Sequence, residues 1–130
     1  MTTIKSYTDL QQSKKLAEIL PLESADMKWY FWKSEIDAPK LPTFGYSKDA
    51  AENYKSTEAI YLPCWSLTAL MNFIESLGKV EINFNCSSNK YWVNVHFESI
   101  GSFCQDHELY DSKIDALIAI IKKLKSRNLL

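Results

Sequence analysis

Four residues of this chain carry atoms that bind zinc: Cys86, His96, Cys104 and His107. Thiolate sulfur and imidazole nitrogen are common zinc ligands, and Cys104 and His107 form a closely spaced pair. A zinc site requires these side chains to converge on one ion. The strand pattern described below places Cys86 and His96 on opposite faces of a sheet, with His107 in a loop before the last helix. We therefore predict no metal site and no cofactor.

Glu81 and His96 form a second candidate, because a carboxylate beside an imidazole can orient it as a general base. Glu98 lies two residues from His96 and could join them. An ordinary cross-strand charge pair has the same spacing, and we favour that interpretation. A small enzyme or ligand-binding domain that uses His96 and Glu81 beside Trp92 remains the alternative.

Cys64 stands between Pro63 and Trp65, just before a predicted helix. The dipole of that helix could lower the pKa of the thiol and activate it. Free cysteines are nevertheless among the most buried residues of folded proteins, and we expect burial here. The three cysteines are odd in number and lack close spacing, which disfavours a disulfide framework. Nucleotide-binding and hydrolase motifs are lacking from the sequence, so we predict a protein without catalytic residues.

Two alternating segments, 80–86 and 91–97, position most of these side chains. Their period of two, with Ser87-Ser88-Asn89-Lys90 between them, predicts a β-hairpin with a two-residue turn at Ser88-Asn89. This register sets Cys86 opposite Tyr91 and Phe84 opposite Val93, with both apolar sets directed to the core. The opposite face is polar, and we predict a candidate binding face on it: Glu81, Asn83, Trp92, Asn94 and His96.

The length of 130 residues suits a single domain, and the net charge of −1 disfavours a nucleic-acid partner. The longest apolar run, 116–121, is too short to cross a bilayer, and the N-terminus has no secretory signal. We therefore expect a cytoplasmic protein without a membrane partner.

Capping residues and apolar spacing locate the other elements. A capping box at Thr8 to Gln11 predicts a first helix that ends at Pro21. Residues 27–34 form a predicted strand with both faces covered, and residues 59–62 form one that Pro63 ends. The remaining predictions are a helix from Ser66 to Gly78, a strand over 100–105 and a last helix capped by Ser112.

Residues 35–58 hold two prolines, one glycine and many charges without clear periodicity. We predict a long loop with one helical turn at 48–54, and loops of this length are often functional. The element order as a whole predicts an α+β protein with one domain over residues 1–130. We expect an antiparallel sheet of four or five strands, with amphipathic helices packed mainly on one face.

Several short segments also resemble a known group of proteins: Gln12-Ser13-Lys14-Lys15-Leu16, Glu23-Ser24-Ala25-Asp26-Met27, Pro63-Cys64-Trp65-Ser66-Leu67-Thr68-Ala69-Leu70 and Asp115-Ala116-Leu117. In this order they are similar to a pattern of small uncharacterised proteins from phages, prophages and mobile elements of gut anaerobes. Cys64 replaces the alanine usual there, and Lys113 replaces a frequent proline. The resemblance implies a mobile-element origin and carries over no site residue.

The function that we predict is a non-enzymatic accessory or interaction protein of a phage or mobile element, which acts by protein–protein binding. The wealth of aromatic residues supports it, because Trp and Tyr are favoured interface anchors. The identity of the partner and the formation of a homodimer stay open at this stage.

Overall fold

The computed structural model describes residues 5–35, 37, 40–53, 58–104 and 109–130, with only the backbone of Phe103 and Cys104. The helices are α1 (Leu10–Ala17), α2 (Lys48–Asn53), α3 (Leu67–Glu75) and α4 (Lys113–Ser126). The strands are β1 (Met27–Trp32), β2 (Thr43–Phe44), β3 (Ala59–Cys64), β4 (Val80–Ser87), β5 (Lys90–Phe97) and β6 (Gly101–Cys104). Two short 3-10 turns, at Leu22–Ser24 and Lys33–Glu35, flank β1.

The strands form two antiparallel sheets of three strands, in the orders β2-β1-β3 and β4-β5-β6. The mixed α+β character is confirmed, whereas the single sheet of four or five strands is wrong. The alternation of β1, β4 and β5 was interpreted correctly, but alternation does not specify which strands are neighbours. The chain divides into two compact units, one of residues 7–69 and one of residues 1–6 with 70–130.

The unit of residues 7–69 buries one face of β1. Met27, Trp29 and Phe31 form its core with Cys64 of β3. The opposite face of β1 carries Tyr30 and Trp32, which are 41% and 48% exposed. The prediction that both faces are covered is therefore wrong.

Helix α1 begins one residue later than predicted. The capping box joins Asp9 and Gln12: the Asp9 carboxylate accepts from the Gln12 N–H, and the Gln12 side chain accepts from the Asp9 N–H. The Thr8 hydroxyl instead accepts from the backbone N–H of Trp65 at 3.1 Å. Helix α1 ends at Ala17, and a turn leads from there to Pro21.

Strand β3 continues through Pro63, contrary to the prediction that this proline ends it. Pro63 pairs with Lys28 of β1, and a proline is tolerated because β3 is an edge strand. The predicted helical turn at 48–54 corresponds to α2, while β2 was not predicted. Helix α3 begins after Ser66 as expected, since the Ser66 hydroxyl accepts from the Ala69 N–H at 3.1 Å.

The unit of residues 70–130 contains the predicted hairpin in the predicted register. Cys86 pairs with Tyr91 and Phe84 with Val93, and the turn residues Ser88 and Asn89 have φ of 51° and 64°. Val93 and Val95 are fully buried, but Cys86 at the hairpin end is exposed rather than in the core.

Helix α4 supplies most of the remaining core of this unit. Ser112 caps it as predicted, with its hydroxyl accepting from the Asp115 N–H at 3.0 Å. Seven side chains of α4 are buried: Ile114, Ala116, Leu117, Ile118, Ile120, Ile121 and Leu124. The predicted last strand is also present, as β6 over Gly101–Cys104, while the predicted end of this strand at residue 105 lies outside the described residues.

Candidate functional site

The predicted candidate face lies on one side of the β4–β5 hairpin. Glu81 pairs with His96, Asn83 with Asn94, and Asn85 with Trp92. Successive side chains of a strand point to opposite faces, so all of these share the face opposite Val93 and Val95. The register is confirmed, while the role of this face in binding stays a prediction.

His96 contacts a residue that the sequence analysis missed. Its Nδ1 lies 2.8 Å from the hydroxyl oxygen of Ser102, which pairs with His96 across β5 and β6. Glu81, His96 and Ser102 thus occupy one row across three strands. Within the described structure, no hydrogen bond or ion pair joins Glu81 to His96. The predicted carboxylate–imidazole contact is therefore replaced by a hydroxyl–imidazole contact.

An open depression of about 400 Å³ adjoins this row, lined by Lys79, Val80, Glu81, His96 and Glu98. The Lys79 Nζ lies 3.7 Å from a carboxylate oxygen of Glu98. Trp92 does not line the depression, since it is four residues from His96 along β5, or about 13 Å. The structure therefore brings Glu81 and His96 to one cavity and leaves Trp92 outside it.

The row of Glu81, His96 and Ser102 has only part of what nucleophilic catalysis requires. An acyl-transfer site needs hydrogen-bond donors aimed at the developing oxyanion, in a pocket that excludes water. Here both His96 and Ser102 are exposed to solvent. The arrangement suits weak binding of a polar group better than catalysis.

The two zinc-ligand candidates whose side chains the structure describes, Cys86 and His96, do not converge. Cys86 and His96 occupy opposite faces of the hairpin, as predicted. His107 and the side chain of Cys104 lie outside the described residues. Among the residues that are described, no group of three or more His, Cys, Asp or Glu could hold a metal ion.

Cys64 is fully buried, as expected from its residue type. Its thiol donates to the backbone oxygen of Thr8 at 3.4 Å and accepts from the Thr8 hydroxyl at 3.5 Å. Burial raises the pKa of the Cys64 thiol, although hydrogen bonds from Thr8 and Ser13 oppose the rise. The pKa of Cys64 is thus raised, whereas activation by the helix dipole would lower it. Cys64 is a residue of the core.

The most distinctive surface of the molecule was not predicted. Four aromatic rings follow one another on the outer face of the β2-β1-β3 sheet, and we call them the aromatic row: Trp32, Tyr30, Tyr61 and Tyr46. Their consecutive ring centroids are 6.4, 6.0 and 5.5 Å apart. The Tyr30–Tyr61 contact is edge-to-face, which is a favoured geometry for aromatic pairs.

Strand register and one loop contact hold the aromatic row in place. Tyr30 and Tyr61 are direct partners across β1 and β3. The backbone N–H of Ser47 donates to the Tyr61 hydroxyl at 3.1 Å, which fixes the loop that carries Tyr46. Burial, followed by the neighbouring Tyr61 and Glu52, raises the pKa of Tyr46, so its hydroxyl stays neutral at physiological pH.

Sequence reasoning missed the aromatic row for two reasons. The alternation of β1 correctly separated Tyr30 and Trp32 from the core residues, but their face was expected to be covered. Tyr46 lies in residues 35–58, where no periodicity indicates a position. One sequence feature indicates part of the aromatic row. Tyr30 and Trp32 share one face of β1, and Tyr61 lies in β3, the next long strand along the chain.

Comparisons with known proteins add no family to this description. Neither protein-family models, nor curated proteins, nor solved structures gave a match to the chain. Among the described residues, no helix combines the length and the apolar character needed to cross a membrane.

Proposed function

We propose that this protein is a non-enzymatic interaction protein that binds a partner protein through its aromatic row. One observation carries the proposal: Trp32 and Tyr30 expose 48% and 41% of their surface on a regular sheet face, in contact with further tyrosines. Trp and Tyr are the residues most enriched at the energetic centres of protein interfaces. The resemblance to mobile-element proteins supports a role as an accessory protein of a phage or mobile element in the cytoplasm.

The rigidity of the aromatic row favours binding. A side chain that is already ordered loses little conformational freedom when a partner covers it. Tyr30 and Tyr61 are held by their strands and by each other, and Tyr46 packs on Tyr61 at 5.5 Å. The row therefore presents a large apolar area with little ordering cost.

A protein partner fits these features better than a nucleic acid does. Stacking of single-stranded bases on aromatic rings is normally combined with a basic groove that follows the phosphates. This chain has a net charge of −1, with 15 basic and 16 acidic residues. The electrostatic term that dominates nucleic-acid affinity is thus weak.

Substitution of Trp32 tests the proposal. Trp32→Ala should leave the free energy of unfolding within about 1 kcal/mol, because the side chain is half exposed. The same change should weaken binding of a partner isolated from element-bearing cells by about 2 kcal/mol or more, which is roughly thirtyfold in Kd. The measurement is titration of the purified partner, monitored by calorimetry.

Leu41→Ala is the matched control for this experiment. Leu41 is an exposed apolar residue of the same unit, 78% exposed, and it lies outside the aromatic row. We expect this variant to bind as the native protein does. Equal affinity of Trp32→Ala and the native chain would exclude the row as the binding surface.

The second candidate function is ligand binding at the depression beside His96. The observation that favours it is the 2.8 Å contact between His96 and Ser102 at a cavity with two carboxylates, Glu81 and Glu98. A panel of small cationic and polar ligands, screened by thermal unfolding, tests it. A ligand that raises Tm in the native chain and in Asn85→Gln, but not in His96→Gln, would support this function over the first.

A further inference from the structure

The outer edge of β4 lies in the unit of residues 70–130 and shares no residue with the aromatic row. β4 is the edge strand of the β4-β5-β6 sheet. In the part of the chain that the structure describes, no strand pairs with its outer edge. An edge strand presents a row of backbone N–H and C=O groups that can pair with another strand.

The hairpin register identifies which backbone groups are available. The Glu98 N–H donates to the Lys79 oxygen at 3.0 Å, so residues 79 and 98 form a hydrogen-bonded pair. Hydrogen-bonded and non-hydrogen-bonded pairs alternate along an antiparallel ladder. The odd-numbered residues of β4 therefore bond to β5, and the even-numbered ones direct their backbone groups outward: Val80, Ile82, Phe84 and Cys86.

The other sheet edges are less suited to pairing. β2 has two residues, β3 contains Pro63, and β6 has four residues and begins at Gly101. Short strands and prolines are the features by which natural proteins protect edges. β4 has eight residues, without proline or glycine, and carries one charge, at Glu81.

We propose that β4 pairs antiparallel with β4 of a second copy of this chain, which forms a two-fold symmetric dimer with a continuous six-stranded sheet. The apolar side chains of β4 are at even positions and the polar ones at odd positions. Because the apolar faces of the two sheets must match, an even-numbered residue must pair with an even-numbered one and an odd-numbered residue with an odd-numbered one. One register pairs all of residues 80–86 with the same residues of the second copy. In this register the two residue numbers of every pair add to 166, so the two-fold axis passes between the two Asn83 residues.

This register is chemically self-complementary. Ile82 meets Phe84 of the partner copy on the apolar face, and Asn83 meets its own equivalent on the polar face. Glu81, the only charge of β4, lies opposite the partner's Asn85, so no like charges meet. Because the pairing is isologous and β6 is short, the assembly closes at two copies.

Two lysine substitutions on the same strand test the proposal and its register. Asn83→Lys places two lysines opposite each other at the axis and should weaken dimerisation about fivefold. Asn85→Lys is the matched variant, because its lysine faces the partner's Glu81 twice in the dimer and should strengthen association by roughly threefold. Both side chains are exposed, so the monomer fold tolerates both changes.

Sedimentation velocity over a concentration series measures the association, with circular dichroism as the control for folding. The expected result is a concentration-dependent dimer of the native chain, with opposite shifts for the two variants. A native chain that stays monomeric up to its solubility limit would overturn the proposal, and so would equal shifts in the same direction.

A disulfide provides an independent measurement. In a background with Cys86→Ser and Cys104→Ser, Asn83→Cys should cross-link two copies under mild oxidation, since non-hydrogen-bonded partners stand about 4.5 Å apart at Cα. The background chain without Asn83→Cys is the control and should not cross-link, because its remaining thiol, Cys64, is fully buried. Lack of a cross-link in the Asn83→Cys chain would exclude the axis at Asn83. The aromatic row is untouched by these changes, so partner binding through Trp32 is tested separately.

Discussion

The hydroxyl oxygen of Thr8 lies 2.8 Å from that of Ser13, and both side chains are fully buried. Thr8 also accepts from the Trp65 N–H at 3.1 Å, and Ser13 accepts from the Trp29 indole N–H at 3.1 Å. This pair ties the start of α1 to β1 and to the end of β3. Two hydroxyls thereby satisfy buried donors that would otherwise be costly.

Thr8→Val should reduce the free energy of unfolding by about 1 to 3 kcal/mol, although its shape is preserved. The reason is that the Trp65 N–H loses its acceptor inside the core. Urea unfolding measures the change. Thr8→Ser keeps the hydroxyl and should lose less, so a larger loss in Thr8→Ser than in Thr8→Val would show that packing of the methyl group matters more than the hydrogen bonds.

The two described thiols should differ in reactivity. Cys86 is exposed and Cys64 is fully buried with a raised pKa, so a thiol reagent at neutral pH should modify Cys86 and leave Cys64 unmodified until unfolding. Mass spectrometry of the alkylated chain locates the label. Modification of Cys64 as fast as Cys86 under native conditions would contradict its placement in the core.

The raised pKa of Cys64 also predicts a pH dependence of stability. Its folded pKa lies above the ordinary value of 9.0, so its contribution is complete below that value and is lost as the pH rises past it. The slope contributed by this one thiol is at most about 1.4 kcal/mol per pH unit. Unfolding of the native chain and of Cys64→Ala across this range measures it. The native chain should lose stability more steeply than the variant.

The hairpin turn can be improved. Ser88 adopts a φ of 51°, in the left-handed region that serine rarely occupies. Ser88→Asn should raise the free energy of unfolding by about 0.5 to 1 kcal/mol, because asparagine tolerates this region better. Ser87→Asn, one residue earlier in β4, is the control and should bring no gain. Thermal unfolding measures both variants.

The last helix should dominate the core of its unit. Ile121 is fully buried, and Ile121→Ala should cost about 2 to 5 kcal/mol. Lys122→Ala, at the next and exposed position, should stay within about 0.5 kcal/mol. Chemical denaturation of both variants measures the difference. A cost below about 1 kcal/mol for Ile121→Ala would show that the buried face of α4 was misassigned.

Local patterns identified most elements and part of the candidate site. The period-two alternation of residues 80–97 was sufficient to predict the hairpin, its turn and the pairing of Glu81 with His96. The predicted caps at Ser66 and Ser112 are also present. These features depend on neighbours in sequence, which is why a single sequence is sufficient to predict them.

Features that depend on distant contacts were not predicted. The Thr8 hydroxyl has the right spacing for a helix cap. It instead accepts a hydrogen bond from the backbone N–H of Trp65, which is 57 residues away in sequence. Ser102 reaches His96 only because β6 pairs beside β5. Pro63 stays within a strand because β3 is at the edge of its sheet.

The sequence by itself determined which side chains share a face, because alternation along a strand is a property of the backbone. The tertiary structure alone decided how many sheets form and which faces remain exposed. Tyr30 and Trp32 were separated from Trp29 and Phe31 by sequence alone, yet only the folded chain leaves them half exposed beside Tyr61. Burial depends on what packs against a face, and that is set by contacts between residues far apart in the chain.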